Sequence, residues 1–339
     1  MPEHDSQHRD SQHRATLVTG GAGFIGSHLV ERLVASGEKV VVVDNLSTGR
    51  LENLARVDRA RIRFIESTVA EALKRFAPGE FREIYHLAAA VGVRLVIDRP
   101  IHTIETNVLE TSAVLNFAAA AATPTLIAST SEVYGKSEKT PFAEDDDVTY
   151  GPTTLSRWSY ACSKAIDEYL ALAHHREDGL PVVIARFFNT VGPRQVGEYG
   201  MVLPRFVEAA MRGEPIIVHG DGRQTRCFCD VRDVVEALPR MLATAVCHGR
   251  VFNIGSDRSI EICALAELVR DTLRSASPIQ FVPYDKAFGP GFDDLRHRRP
   301  DLERIRQAIG FHSKIPLEQT IRDLADHLAS TVERAAALR

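Results

Sequence analysis

Cysteine is scarce: five residues in 339, at Cys162, Cys227, Cys229, Cys247 and Cys263. An odd count without zinc-finger spacing fits neither a disulfide framework nor a structural zinc site. Cys227 and Cys229 also lie too close along the chain for ordinary pairing. Reduced, mostly buried thiols in a cytoplasmic protein are expected. Basic charge is not in excess either. Forty-one lysines and arginines face 45 acidic residues, a formal net charge of −4, which argues against a general nucleic-acid binder. Long apolar runs are missing too. Nothing approaches a membrane span, and the polar start does not resemble a signal peptide. No nucleic-acid partner, no membrane and no metal are therefore expected. Residues 1–14 have nothing with which to build a core: Asp5-Ser6-Gln7-His8-Arg9 recurs as Asp10-Ser11-Gln12-His13-Arg14. The stretch reads as a disordered polar tail rather than a metal site on His8 and His13.

What is present is ordinary in bulk, with 44% hydrophobic and 25% charged residues, enough for one large or two modest domains. Its arrangement says more. Strand-like runs at 16–19, 39–44, 61–66, 83–87, 125–129 and 181–187 alternate with helical patterns, notably at 103–122 and 158–175. This alternation predicts an α/β fold, a Rossmann-like doubly wound parallel sheet covered by helices on both faces. Ligands in such sheets sit beyond the carboxyl ends of the strands. That singles out Asp44, Ala88-Ala89-Ala90, Thr130-Ser131-Glu132 and Phe188-Asn189. From Asn189 onward the texture is irregular, with Gly192-Pro193-Arg194, Gly197 and Gly200 marking a loop. A helix at 203–212, a strand at 216–219 and a helix at 231–245 follow. The run at 251–254 reads as a strand returning to the first sheet, and 260–275 and the stretch from 302 read as mostly helical.

The stretch Gly20-Gly21-Ala22-Gly23-Phe24-Ile25-Gly26 lies between the first strand and a helical segment at 27–35. Glycines there let backbone approach a pyrophosphate, and the N–H groups of a helix start point at the anion. The second strand ends in Asp44, placed to accept hydrogen bonds from an adenosine ribose and to repel a 2′-phosphate, so NAD is favoured over NADP. Tyr160 and Lys164 share one helix face, four residues apart. An ammonium beside a phenol favours phenolate, so a lowered Tyr160 pKa is expected.

With these pieces the chain resembles the extended short-chain dehydrogenase/reductases that act on nucleotide sugars. The resemblance rests on Thr19 through Gly26, Asp44-Asn45, His86-Leu87-Ala88-Ala89 and Asn107. It continues through Ser129-Thr130-Ser131-Glu132-Val133-Tyr134-Gly135 and Tyr160-Ala161-Cys162-Ser163-Lys164. Arg186-Phe187-Phe188-Asn189-Thr190-Val191-Gly192-Pro193-Arg194 and Gly220-Asp221-Gly222-Arg223-Gln224-Thr225-Arg226 complete it, in order, over about residues 15 to 325. It implies an NAD-binding domain at 15–188 with about 231–256, and a smaller, discontinuous substrate domain at 189–230 and 257–339. NAD would be held by Gly20, Gly23, Phe24, Ile25, Gly26, Asp44, Asn45, Leu87, Ala88, Ala89, Asn107, Tyr160 and Lys164. Tyr160 would take the proton from a sugar C4 hydroxyl as hydride leaves. Thr130 would hydrogen-bond the same oxygen, and Lys164 would hold the nicotinamide ribose. A UDP-sugar would meet Thr130, Ser131, Asn189, Val202, His219, Arg226 and Arg298, the last with Arg296, His297 and Arg299 as rivals. Arg186 and Arg194 read equally as structural ion-pair partners. Thr68 stands where many relatives carry an aspartate near the adenine.

The 4-keto sugar that results has three fates: re-reduction on the opposite face, loss of a C5 carboxylate as carbon dioxide, or elimination of water. Dehydratases of the family carry an Asp-Glu pair after the threonine, and Ser131-Glu132 lacks that acid. Glu132 matches the Thr-Ser-Glu run of UDP-glucuronate decarboxylases, or else pairs with a nearby arginine. Two features fit neither remaining template. The loop Val91-Gly92-Val93-Arg94 lacks the Ser/Pro-rich sequence of decarboxylases, and Val196 stands where bacterial glucuronate 4-epimerases often carry an arginine. The favoured expectation is a UDP-sugar 4-epimerase, an isomerase converting UDP-glucuronate to UDP-galacturonate, with UDP-glucuronate decarboxylase as the alternative. By analogy the helices at 103–122 and 158–175 would pack across a homodimer.

Overall fold

The computed structural model describes residues 14–92, 96, 98–197, 201–283, 286 and 296–337. The tail histidines His8 and His13, with Val93, Arg94 and Gly200, lie outside the described residues. The first half alternates strand and helix: β1 (Thr16–Thr19), α1 (Phe24–Ala35), β2 (Val40–Asp44), β3 (Ile62–Glu66), α2 (Val69–Leu73) and β4 (Ile84–His86). Then come α3 (Pro100–Ala119), β5 (Thr125–Thr130), α4 (Arg157–Asp178) and β6 (Val182–Phe187). The second half runs β7 (Thr190–Val191), α5 (Val202–Arg212), β8 (Ile216–His219), β9 (Thr225–Cys227), β10 (Cys229–Asp230), α6 (Val231–Ala243) and β11 (Arg250–Ile254). It ends with β12 (Ser259–Glu261), α7 (Ile262–Thr272), β13 (Ile279–Val282), β14 (His297–Arg298), α8 (Glu303–Ile309) and α9 (Leu317–Ala337).

Seven strands form one parallel sheet in the order β11-β6-β5-β4-β1-β2-β3. The alternating, doubly wound reading holds. β2 shows why: four consecutive valines are all buried, as β-branched residues are in a strand covered on both faces. On one face Leu29, Val30 and Leu33 of α1 pack with Val234, Val235 and Leu238 of α6. On the other, Val69 and Leu73 of α2 meet Val114 and Leu115 of α3 and Ala171 of α4. The order reverses between β1 and β4, which opens a crevice at their carboxyl ends.

Outside this sheet, β9 lies between antiparallel β12 and parallel β14, while β8 pairs with β13 and β7 with β10. Leu203, Phe206 and Val207 of α5 form a separate core with Leu265 and Val269 of α7 and Ile321 and Leu324 of α9. The β9–β14 register sets Arg298 opposite Arg226. Helix limits differ from the sequence reading in ways that local chemistry explains. The helix after the glycine turn starts at Phe24, and α3 starts at Pro100, a residue pre-set for a first helical turn. α4 runs on to Asp178 and stops at Gly179, in the left-handed conformation of a helix end. All five cysteines are free, and no described helix is long and apolar enough to cross a membrane.

Candidate active site

A cavity of about 870 Å³ opens over the ends of β1, β4 and β5 and continues beneath α5. Its cofactor end is built from the glycine turn. Gly20 has φ +69°, and a Cβ there would come within 2.7 Å of the Ala88 nitrogen; at Gly26 it would come within 2.1 Å of the Gly20 carbonyl. Turn, helix and β4 loop therefore close up only without side chains, leaving the start of α1 facing the cavity with its unsatisfied N–H groups. Gly20, Gly23, Phe24, Ile25, Gly26, Asp44, Asn45, Leu87, Ala88 and Ala89 all line the space. Asp44 accepts from the Ala22 and Leu46 nitrogens at 2.9 and 2.8 Å. Burial raises its pKa, and these N–H donors oppose that rise. The carboxylate thus fixes the loops around the pocket as well as standing at its edge. Thr68 lines the wall and caps α2 by accepting from the Glu71 nitrogen. This bare, anion-ready turn beside an acid fits a dinucleotide.

Asn107 is a correction to the expected cofactor set, because it does not line the cavity. Its Oδ1 accepts from the Ala90 nitrogen at 2.8 Å and its Nδ2 donates to Ser163 Oγ at 3.1 Å. It ties the loop after β4 to α4.

Thr130, Ser131, Glu132, Tyr160 and Lys164 meet on the cavity wall. β5 delivers Thr130 at its carboxyl end, and the one-turn helix Ser131–Tyr134 turns Glu132 inward. The lowered phenol expected from Lys164 is corrected. Burial raises the Tyr160 pKa, the Glu132 and Asp167 charges add to that rise, and a hydrogen bond with Thr130 opposes it. Lys164, 2% exposed, donates to Asp167 Oδ2 at 2.7 Å. Beneath them His86 contacts Thr19 and Thr111 through its two ring nitrogens, at 2.8 and 3.1 Å. Burial and the Lys164 charge push its pKa down to about 3, so the ring is neutral.

On the far side Glu132 meets Arg298, with Oε1 to Nη1 at 3.7 Å. Asn189 lines the cavity, and its Nδ2 is buried without a hydrogen-bond partner among the described residues. Val202 is also on the wall. His219 and Arg226 are not: His219 ends β8, where burial and Arg205 lower its pKa, and Arg226 donates to the Thr225 carbonyl. Arg186 is held away from the cavity by Glu168 at 2.6 Å. Arg194 both lines the cavity and pairs with Glu31 at 2.5 Å. The sequence reading missed His102, Thr106 and Glu110, which line the cavity from α3. Their spacing of four along one helix face was the available signal. His327, Leu328 and Thr331 of α9 line it too, and nothing local marked them.

The family model "NAD dependent epimerase/dehydratase family" matches residues 16–255. The UDP-N-acetyl-alpha-D-glucosaminuronate decarboxylase of Bacillus cytotoxicus is 39% identical over 91% of this chain and 95% of its own. UDP-glucuronic acid decarboxylase 4 of Arabidopsis thaliana is 38% identical over 89% of this chain and 66% of its own. The UDP-glucose 4-epimerase of Thermus thermophilus, solved in complex with NAD, superposes with a TM-score of 0.79 at 29% identity, over 93% of this chain and 99% of its own. These findings overturn the expected isomerase. The curated relatives with the higher identity are decarboxylases, hence lyases, so Glu132 was the better guide and the composition of the 91–94 loop the poorer one. The NAD expected from the glycine turn and Asp44 agrees with the family description. The chain belongs to the NAD-dependent epimerase/dehydratase family.

Proposed function

We propose that the protein is an NAD-dependent UDP-glucuronate decarboxylase that works through a 4-keto sugar. The observation that carries this reading is similarity, over 91% and 89% of this chain, to enzymes named as uronate decarboxylases, in a chain whose cavity sets Glu132 and Arg298 beside Tyr160 and Thr130. Gly20, Gly23, Gly26 and Asp44 would hold the dinucleotide, with Lys164 at the nicotinamide ribose. Bound NAD supplies one thing, an acceptor for the hydride at C4. Tyr160 takes the C4 hydroxyl proton as general base; burial raises its pKa, and the cationic nicotinamide of bound NAD would oppose that rise. Thr130 hydrogen-bonds the oxygen that becomes the carbonyl. The C5 carboxylate is then β to a ketone. When the C5–C6 bond breaks, carbon dioxide leaves and the electron pair passes to the C4 oxygen as an enolate, facing Tyr160 and Thr130. A proton then adds at C5, leaving a UDP-4-keto-pentose. Return of the hydride to C4, with Tyr160 giving its proton back to the C4 oxygen, would yield the UDP-pentose and restore the oxidised cofactor.

Arg298 presents a planar cation suited to a carboxylate or a phosphate, and Glu132 holds it. Asn189 has a free donor for a diphosphate oxygen. A second substrate, UDP-N-acetylglucosaminuronate, is favoured by the Bacillus relative's name. Ile101 and Leu109 on α3 and Ile166 and Tyr169 on α4 are exposed, which supports a homodimer through these helices. The test incubates protein and NAD with each UDP-uronate and follows products by NMR. Carbon dioxide with a UDP-pentose or UDP-4-keto-pentose is expected. A C4-epimeric uronate without carbon dioxide would overturn the reading.

A further inference from the structure

Helix α4 turns four ionisable side chains inward: Tyr160, Lys164, Asp167 and Glu168. Three are accounted for. Glu168 accepts from Arg186, with a shortest contact of 2.6 Å, and from Ser129 Oγ at 2.5 Å, a structural knot between α4, β5 and β6. Asp167 is different. It is 0% exposed, its Oδ2 accepts from Lys164 Nζ at 2.7 Å, and its Oδ1 is buried with no hydrogen-bond partner among the described residues. A buried ion pair with an unsatisfied oxygen contributes little net stability, and apolar residues of similar size often do as well. Its cost calls for another use.

Lys164 lines the cofactor cavity yet is 2% exposed. A buried ammonium without a counter-charge gives up its proton readily. We propose that Asp167 is a positioning residue: it keeps the Lys164 ammonium charged and anchored in the cavity wall, ready for the nicotinamide ribose. No other group on the surrounding elements takes that place. Glu168 on the same helix is bound to Arg186. His86 on β4 is neutral. Glu132, in the turn after β5, faces Arg298. From α3 come Thr111, whose hydroxyl hydrogen-bonds Asp167, and Asn107, and neither of them titrates. Asp167 touches neither sugar nor dinucleotide in this assignment and acts only through Lys164.

The inference rests on the proposed NAD chemistry, so its test begins with the cofactor alone. NAD binding is measured by calorimetry between about pH 7 and about pH 10, on the full chain and on Asp167→Asn, Asp167→Glu and Lys164→Met, with kcat and KM for the UDP-uronate followed in parallel. Wild-type affinity is expected to stay flat until the alkaline end. In D167N it should fall about tenfold, beginning about one pH unit earlier, and kcat should follow while KM for the sugar holds. D167E, which keeps the charge, should track wild type in pH. Superimposable wild-type and D167N titrations would overturn the assignment. So would wild-type NAD affinity in K164M, since Asp167 would then have no contact to prepare. If D167N does not fold, D167E decides: a wild-type pH course supports the assignment and an early alkaline loss refutes it. Wild-type protein that binds NAD as described yet releases no carbon dioxide defeats the decarboxylase reading alone.

Discussion

Two ion pairs flank Tyr160, and they are built differently. On the cofactor side Lys164 and Asp167 lie 2.7 Å apart with side-chain exposures of 2% and 0%. On the substrate side Arg298 and Glu132 are 3.7 Å apart, and the Glu132 side chain is 26% exposed. A close, dry pair holds its geometry and charge, because either partner alone would be costly to leave buried. The second pair is longer and reached by solvent on its Glu132 side, although Arg298 itself is buried, so its geometry is less tightly fixed. Such an arrangement suits a resident cofactor on one side and an exchanging substrate on the other. Each side can be broken separately, and the phenol between them can be removed.

The largest effect is expected where the two sides meet. Tyr160→Phe removes the only hydroxyl assigned to proton transfer at C4, and turnover should fall about 10²- to 10⁴-fold. Calorimetric NAD affinity should change little, because the anchoring pair is untouched. Unchanged turnover would remove Tyr160 from the mechanism.

The substrate-side pair should give a smaller loss with a different signature. Arg298→Lys keeps the charge but loses the planar fork, and kcat/KM for the UDP-uronate should drop roughly 10- to 100-fold, the scale of one charge-assisted hydrogen bond. NAD affinity should stay at the wild-type value. An R298K protein with weakened NAD binding and normal kcat/KM would mean that the pair serves the cofactor, and the distinction between the two sides would fail.

How much of this the sequence disclosed depends on the kind of signal. The parallel sheet was legible because strands such as β2 are uniform apolar runs bounded by functional residues. The strands β9, β10, β12 and β14 were not foreseen, since two or three residues carry no periodicity. The register they create, Arg298 opposite Arg226, is a tertiary fact. Tyr160 and Lys164 were legible as neighbours on one helix face. Spacing could not show that the phenol would be buried, with Glu132 and Asp167 near it, and so the expected direction of its shift was wrong. Asp167 drew no notice because a polar residue within a helix is ordinarily solvated; burial alone gives it meaning. The choice between epimerase and decarboxylase turned on Glu132 against a loop composition, and loops drift more freely than residues at strand ends.

The smallest effect expected is on stability in acid, and it sharpens the account of the cofactor side. His86 lies beneath Lys164, and burial with that nearby charge takes its pKa from the ordinary 6.5 to about 3. Between those values the unfolded chain binds a proton that the folded protein refuses. Unfolding free energy therefore falls as pH falls through this window, by up to about 1.4 kcal/mol per pH unit for one such group. His28, lowered to about 4 by burial and Arg194, acts in the same direction. Asp44, Asp167 and Glu144, raised by burial, act in the opposite one, so the total slope does not isolate a single group. His86→Gln does. Its urea unfolding free energy, measured from neutral pH down to about pH 4.5, should decline less steeply than that of wild type, whatever its value at neutrality. Equal slopes would mean that His86 is not kept neutral there, and that the floor of the Lys164–Asp167 pair carries a charge of its own.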